Sequence, residues 1–438
     1  MNKTYSIITY GCAMNKSDSE RIASILEGLG YHLIQQNESL DLLVFNSCSV
    51  RQSAIDRIYG QMEKFTSLKE KNPEFKAIIS GCILPKDRKK FFKGFDLVFN
   101  IKDLDKLADL LSKEKTLPLP VLIKGKQPTQ AEIDYFRVEP KYQNKFSALI
   151  PISFGCNRFC AYCAVPYTRG LEINRYSKDI LKEARDLISK GYKEINLLGQ
   201  TVSSWKDPSK KNYKFINLLK NIEKIPGKFW VRFNSPYILD FNDELIDFLA
   251  KAKKINNYLN LPLQSGDNIV LKRMNRKYTV NQYLKVLNNL KEQIKDFSFS
   301  IDIIIGFCGE TEKQFQNTFK VFKETSPAMA YIARYSVRQG TAAQKLFKDS
   351  VSLKVKKQRF RQLTNLLRKT AKENLAKEVG KTLEVLVDAW LPEKKECLGK
   401  TRNFKTVRFK SNKNLCGKFV NIKTTKAREF ELFGKLSK

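Results

Sequence analysis

Residues 154–170 read FGCNRFCAYCAVPYTRG. Cys156, Cys160 and Cys163 lie four and then three residues apart, close enough for one loop to wrap a single inorganic centre. A tetrahedral zinc site or an ordinary electron-transfer cluster normally takes four protein ligands. This pattern stops at three. Either a fourth ligand comes from elsewhere in the chain, or one position is left open for something that is not protein. Histidine offers little help: His32 is the only one in the chain, and it reads as an ordinary structural or surface residue.

Outward from that loop, the sequence alternates. FSALIPIS precedes the cysteines, and KEINLLG, KFWVRFN, YLNLP, FSFSIDIIIG and MAYIARYS follow as further strand-like runs. Helical patterns separate them: SKDILKEARDLISKG, FINLLKNIEK, NDELIDFLAKAK, VNQYLKVLNNLKEQIK and TEKQFQNTFKVFKE. Six strands with five crossover helices fit an open or partial (βα)6 barrel. The cysteine loop follows the first strand, on the C-terminal face where barrel active sites sit.

The first hundred residues repeat a unit. YSIITYGC ends in Cys12, DLLVFNSC in Cys48 and KAIISGC in Cys82, at intervals of 36 and 34 residues. That is the length of a βαβ crossover, so an open parallel α/β sheet is expected. Its strands would bring the three remote cysteines to one C-terminal rim, where such sheets bind ligands. The reading divides the chain into an N-terminal α/β domain (1–117), a linker (118–144), the barrel core (145–375) and a C-terminal domain (376–438). A long basic helix pattern over roughly 353–379 leads out of the core into short strands, TLEVLVDAW, KTVRFK, KFVNIKTT and REFELFGKL, which suggest a small all-β barrel. Residues 381–438 hold 15 Lys and Arg against 6 Asp and Glu, with Phe404, Phe409 and Phe419 interleaved. That mixture suits backbone tracking with base stacking, and equally a barrel core.

The net charge of +35 over 438 residues points to a polyanionic partner. There is no signal-like h-region and no apolar run of membrane-spanning length, so a soluble, cytoplasmic protein with no membrane partner is expected. In a reducing cytosol, clustered cysteines call for metal or redox chemistry rather than disulfides.

The words YGCAMNKSDSE, FNSCSVRQSA, CNRFCAYCAVPYTRGLE, INLLGQTVSSW, LNLPLQSGDNIVLKRMNRKYT, DIIIGFCGETEKQF and YSVRQGTAA cover nearly the whole chain. Together they resemble the radical S-adenosylmethionine methylthiotransferases. The GCxMNxxDSE opening, CSVR after Cys48 and PYTRG after Cys163 are most similar to the branch that makes 2-methylthio-N6-dimethylallyladenosine in tRNA. That resemblance implies an N-terminal cluster domain, a radical core and a C-terminal TRAM domain. It also implies two 4Fe–4S clusters with three cysteine ligands each, Cys156/Cys160/Cys163 and Cys12/Cys48/Cys82. In the core cluster the open iron takes the amino and carboxylate groups of S-adenosylmethionine, whose cleavage gives a 5′-deoxyadenosyl radical. The open iron of the second would hold sulfur for transfer.

Tyr162, Gln200, Gln264 and Asp302 are the candidates for contacting S-adenosylmethionine, and no catalytic residue is assigned beyond the cluster ligands. Arg169, Arg273, Arg276 and Arg338 are candidates for RNA phosphate or substrate. The implied partners are the anticodon loop of tRNA, an electron donor and a sulfur source, with the chain acting as a monomer. Departures from the family pattern fall at Ala13, Ile83-Leu84-Pro85, Asn174, Tyr176, Thr201, Ser235-Pro236-Tyr237 and Cys308. None is a cysteine of either trio. Cys308, Cys397 and Cys416 have no partners by spacing and read as packing residues. Competing expectations are methylthiolation of threonylcarbamoyl-adenosine in tRNA, methylthiolation of an aspartate in a ribosomal protein, or a non-catalytic iron–sulfur protein that binds RNA.

Overall fold

The computed structural model describes residues 3–36, 38–48, 52–113 and 135–437. The first sheet is built from β1 (Lys3–Tyr10), β2 (Tyr31–Leu33), β3 (Leu42–Cys48), β4 (Lys76–Cys82) and β5 (Leu97–Val98). All pairs are parallel, in the order β2-β1-β3-β4-β5. Every residue of β3 is buried, because a parallel sheet is covered on both faces. Successive side chains alternate between two cores. Val44 and Ile78 join Ile22 and Leu26 of helix α1 (Ala13–Gly28), while Phe45 and Ile79 join Ile55 and Phe91. The short β2 and β5, at three and two residues, leave no pattern in the sequence.

The stretch expected as a linker, 118–144, lies outside the described residues as far as 134. From Tyr135 onward it is built into the N-terminal core. The Tyr135 ring is fully buried against Phe154, 4.6 Å between centroids, and its hydroxyl donates to Asp18 at 2.7 Å. That hydrogen bond is what lets so large a phenol be buried. Lys141 N then donates to the Glu20 carbonyl, pinning the strap to α1.

Two parallel three-stranded sheets form the core. One joins β6 (Ser147–Pro151), β9 (Glu194–Leu198) and β10 (Trp230–Phe233); the other joins β11 (Tyr258–Asn260), β12 (Ser298–Ile305) and β13 (Met329–Arg334). Val231, on β10, bonds Lys254 and Asn256 just before β11, so the two sheets continue as one curved six-strand layer. Helices Ser177–Ser189, Phe215–Glu223, Asp243–Lys251, Val280–Gln293 and Glu312–Thr325 cover its outside. Ile195, Leu197, Val231, Ile301 and Ile303 face those helices. The alternate positions, Glu194, Asn196, Arg232, Asn260, Ser300 and Asp302, face the lumen and are polar. Between β6 and β9 sits a two-residue pair, β7 (Ser153–Phe154) with β8 (Ile173–Asn174), antiparallel, which closes the neck of the cysteine loop.

Helix Leu353–Ala376 then leads to a closed barrel of β14 (Thr382–Leu391), β15 (Glu396–Thr401), β16 (Thr406–Lys410), β17 (Phe419–Ala427) and β18 (Leu432–Leu436), ordered β14-β15-β16-β18-β17. The helix ends three residues before its pattern does. Strand β15, ECLGKT, carries no β-branched run, and it is placed by its interior Cys397, Gly399 and Thr401 rather than by propensity. Among the described residues no helix is long and apolar enough to cross a membrane.

The small barrel docks on the N-terminal end of the core strands, away from the cysteine loop. Phe404 stacks on Tyr258 at 4.6 Å, Phe419 meets Trp230 edge-on at 4.9 Å, and Arg402 donates to the carbonyls of Ala252 and Ile255. This corrects the base-stacking expectation for these aromatics. Phe404 and Phe419 are spent on the domain contact, and Phe409, 2% exposed, is barrel core.

Candidate functional site

The loop at 155–163 is shaped by backbone conformations that few residues tolerate. Gly155 has φ +76°, and a Cβ there would lie 2.0 Å from the Leu171 carbonyl oxygen. Phe159 also turns left-handed, at φ +47°. Cys156 N donates to Gly170 O at 3.1 Å, Ala161 N to Met274 O at 2.9 Å, and Asn275 Nδ2 to Phe159 O at 2.8 Å. Donors also converge on the sulfurs. Arg276 Nη1 lies 3.3 Å from Cys160 Sγ, Val165 N 3.4 Å from Cys163 Sγ, Arg158 N 3.5 Å and Thr201 Oγ1 3.6 Å from Cys156 Sγ. Burial, and then the neighbouring thiols, push Cys163 up. Burial likewise raises Cys156, against the Arg158 N–H and the Thr201 hydroxyl. In this protonated form the loop would release protons on taking a metal.

The N-terminal trio occupies one rim. Cys48 and Cys82 are register partners on β3 and β4, and Cys12 stands two residues past the end of β1, capping α1. Gly81, at φ +112°, turns the chain into Cys82 where a Cβ would strike the Ser47 carbonyl. Asn15 Oδ1 accepts from Cys12 N at 3.2 Å, and Asn15 Nδ2 donates to Asn46 Oδ1 at 3.0 Å, a bridge from helix to sheet beneath the cysteines. Cys82 is pulled down to about 6, first by a hydrogen bond with Cys48 and, against burial, by Arg169. Cys12 is exposed, and desolvation by the surrounding protein raises its thiol against the pull of Arg169.

Arg169 ties the two rims. It is fully buried, donates Nε–H to Cys82 Sγ at 2.9 Å and Nη2 to Asp18 Oδ2 at 2.5 Å, and lies over the Phe154 ring. Cys82 is among the groups that raise Cys163, so sulfurs of the two trios lie within electrostatic reach of each other. Among the described residues no three His, Cys, Asp or Glu side chains come close enough to share one metal ion. A single ion needs its donors about 2 Å from one atom, whereas an iron–sulfur cube takes each thiolate on a different iron. A cationic donor meets one sulfur of each trio, Cys160 and Cys82, and thiol donors are of the kind that iron–sulfur centres take. None of the cysteines is disulfide-bonded.

The other sequence candidates are distributed unevenly. Tyr162 packs with Ala161, Val270, Met274 and Phe307, and its environment includes Cys160 and Arg276. Gln200 follows β9 at the loop side and is partly buried. Gln264, at φ +68°, extends the β11 line by backbone bonds to Asp302 O and from Ile304 N. Asp302 accepts from Asn260 Nδ2 at 3.0 Å in the lumen. The arginines divide. Arg169 is sealed inside the protein, and Arg338 is 8% exposed. Arg273 donates to Cys308 O and Gln314, and Arg276 to Cys160, Tyr278 and Pro262 while stacking on Tyr237. Arg169 is thereby closed off from RNA, whereas Arg273 and Arg276 stay partly exposed. Cys308 and Cys397 are core residues, Cys416 packs at the barrel edge, and His32 pairs with Glu38 on the surface.

The pattern-based reading missed Asp18, Asn15, Tyr135 and the Arg158–Asp240 pair, in which Nη2 sits 2.9 Å from both carboxylate oxygens. Asp18 had a signal, a charged residue on the face of α1 that must be buried for the helix to pack.

Comparison with known proteins assigns the parts. The Radical SAM superfamily model matches residues 150–322, the uncharacterized protein family UPF0004 model residues 4–101, and the TRAM domain model residues 376–437. The tRNA-2-methylthio-N(6)-dimethylallyladenosine synthase of Alkaliphilus oremlandii (strain OhILAs) is 37% identical, across 99% of this chain and 93% of its own. The protein of the same name from Clostridium botulinum (strain Langeland) is 38% identical across 98% and 96%. In structure, the radical S-adenosylmethionine methyltransferase TsrM from Kitasatospora setae is similar with a TM-score of 0.54 at 13% identity, over 78% of this chain and 74% of its own. That likeness concerns the fold. Two cysteine rims joined through Arg169, three domains in this order, and end-to-end similarity at this level place the chain in the tRNA-2-methylthio-N(6)-dimethylallyladenosine synthase family of radical S-adenosylmethionine enzymes.

Proposed function

We propose that this enzyme adds a methylthio group to C2 of N6-isopentenyladenosine at position 37 of tRNA, using one 4Fe–4S cluster on Cys156, Cys160 and Cys163 and a second on Cys12, Cys48 and Cys82. The observation that carries the reading is Arg169, which leaves the core cysteine loop and donates Nε–H to Cys82 Sγ of the other trio at 2.9 Å. When bound, the clusters and S-adenosylmethionine supply the radical and sulfur-transfer chemistry. The chain's own residues hold the stage for it. Arg276 at Cys160 and Arg169 at Cys82 offset the negative charge that thiolate ligation brings. Cys82 is 3% exposed, whereas Cys12 is open to solvent. Gln200, Gln264 and Asp302 line the C-terminal half of the lumen and orient the amino-acid and ribose parts of S-adenosylmethionine, while Tyr162 walls the loop side. An external reductant and a sulfur source are required, and a cytoplasmic monomer suffices, since both trios come from one chain.

The test is reconstituted protein with S-adenosylmethionine, a reductant and isopentenylated tRNA, read by nucleoside mass spectrometry. The 2-methylthio nucleoside is expected. Product formed only on threonylcarbamoylated tRNA, or only on a ribosomal protein, would overturn the substrate assignment. Alanine at Cys12, Cys48 and Cys82 together is expected to abolish methylthio product while leaving cleavage of S-adenosylmethionine to 5′-deoxyadenosine. Alanine at Cys156, Cys160 and Cys163 should abolish both.

A further inference from the structure

Arg169 touches Cys82 of the N-terminal rim while belonging to the segment that leaves the core loop. Its side chain is fully buried, as is that of Asp18. Asp18 takes Nη2 at 2.5 Å and Nη1 at 3.4 Å, and Tyr135 donates its hydroxyl to the same carboxylate at 2.7 Å. Phe154, at the neck of the core loop, lies 5.0 Å beneath the guanidinium. The helix Val165–Thr168 that precedes it packs against β4, which ends in Cys82. Both domains therefore contribute to one buried charged group. An isolated buried ion pair is a poor way to gain stability, because desolvating two charges offsets most of their attraction. The remaining Nε–H is aimed at a sulfur, so the arrangement is explained better by what it does to that sulfur.

We propose that Arg169 is a positioning residue which sets the reduction potential of the N-terminal cluster and fixes its rim against the core loop, with Asp18 as the counter-charge that tunes it. The inference rests on the two-cluster reading above. One-electron reduction adds negative charge to a cluster, and hydrogen bonds and positive charge at its sulfurs favour the reduced form. Arg169 raises the potential, and Asp18, by neutralising part of that charge, lowers it again. A merely structural tie would not give the two residues opposite signs.

The experiment uses the full-length chain with Cys156, Cys160 and Cys163 replaced by alanine, so that iron at the N-terminal rim is read alone. Iron and sulfide are counted, and the potential is taken by redox titration followed by electron paramagnetic resonance. Arg169→Gln is expected to disfavour reduction at least tenfold, about 59 mV for one electron. Asp18→Asn is expected to shift it the other way, and Arg169→Lys, which keeps the charge but loses the fork, to fall between wild type and Arg169→Gln. If Arg169→Gln loses its iron, the lysine and asparagine variants carry the comparison. Iron-loaded variants with an unmoved potential, or shifts of the same sign at both residues, overturn the proposal. So does loss of iron from all three, which would make the tie one of assembly only. If the parent chain itself binds no four-iron cluster, the two-cluster reading fails and this inference with it.

Discussion

Arg276 makes three hydrogen bonds and lies over two tyrosine rings, all within the shell of the core loop. Its replacement by glutamine removes charge-assisted bonds worth roughly 1.5–3 kcal/mol. Arg276→Gln is therefore expected to lower the denaturation midpoint and to halve iron retention in a chain whose N-terminal cysteines are replaced, read by iron analysis after gel filtration. Glu20 carries a different signature. It is 5% exposed, Oε2 has no hydrogen-bond partner among the described residues, and burial pushes its carboxyl from an ordinary 4.5 up to about 7. The folded chain then holds a proton that the unfolded chain releases near pH 4.5, so stability falls as pH rises from 4.5 to 7, by about 1.4 kcal/mol per unit. Glu20→Gln is expected to match wild type near pH 4 and to exceed it by on the order of 3 kcal/mol at pH 8, measured by urea denaturation at both values. The cysteines at this scale were legible from spacing. Asp18 and Tyr135 were not, because 117 residues separate them and nothing local marks a pair formed only by folding.

Elements decide how the loops are held. The cysteine loop is gripped by the β7–β8 pair at its neck and by Met274 and Asn275 across the lumen, so the strand after it and the helix before Arg276 both position sulfur. The small barrel is held by aromatic contacts at the far end of the core. Phe404→Ala removes the stack on Tyr258 and the cation contact from Arg232, 4.4 Å from the ring. An aromatic pair of this kind is worth about 0.5–1.5 kcal/mol beyond its area. The variant is expected to make residues 377–381 more sensitive to limited proteolysis and to split thermal unfolding into two transitions, with the core transition unmoved. Alternation in the core strands was readable, since each buries one apolar face. The short β2 and β5, and the six-residue β15, were not, because neighbours in the sheet, rather than their own side chains, keep them extended.

At the scale of the whole molecule, the basic barrel and the cysteine rims lie at opposite ends of the core strands, so charge and chemistry are separated. Binding of tRNA is expected to weaken steeply with salt; six to ten phosphate contacts correspond to a loss of about 10³–10⁵ between 50 and 200 mM. Replacing exposed barrel lysines such as Lys410 and Lys423 with alanine is expected to raise KM and flatten that slope while leaving kcat unchanged, whereas a salt-independent affinity would contradict an RNA partner. The sequence by itself determined the three-part architecture, the parallel crossover units, the meeting of Cys12, Cys48 and Cys82 at one sheet rim and the family, because each depends on local spacing and on periodicities of two and 3.6 residues. Only the tertiary structure decided that Arg169 is buried between the trios rather than facing RNA, that the strap from Tyr135 belongs to the N-terminal core, and that Phe404 and Phe419 join domains. Those outcomes depend on which distant surfaces exclude water from one another, and a charge or a ring carries no mark of its eventual neighbour until the chain has closed around it.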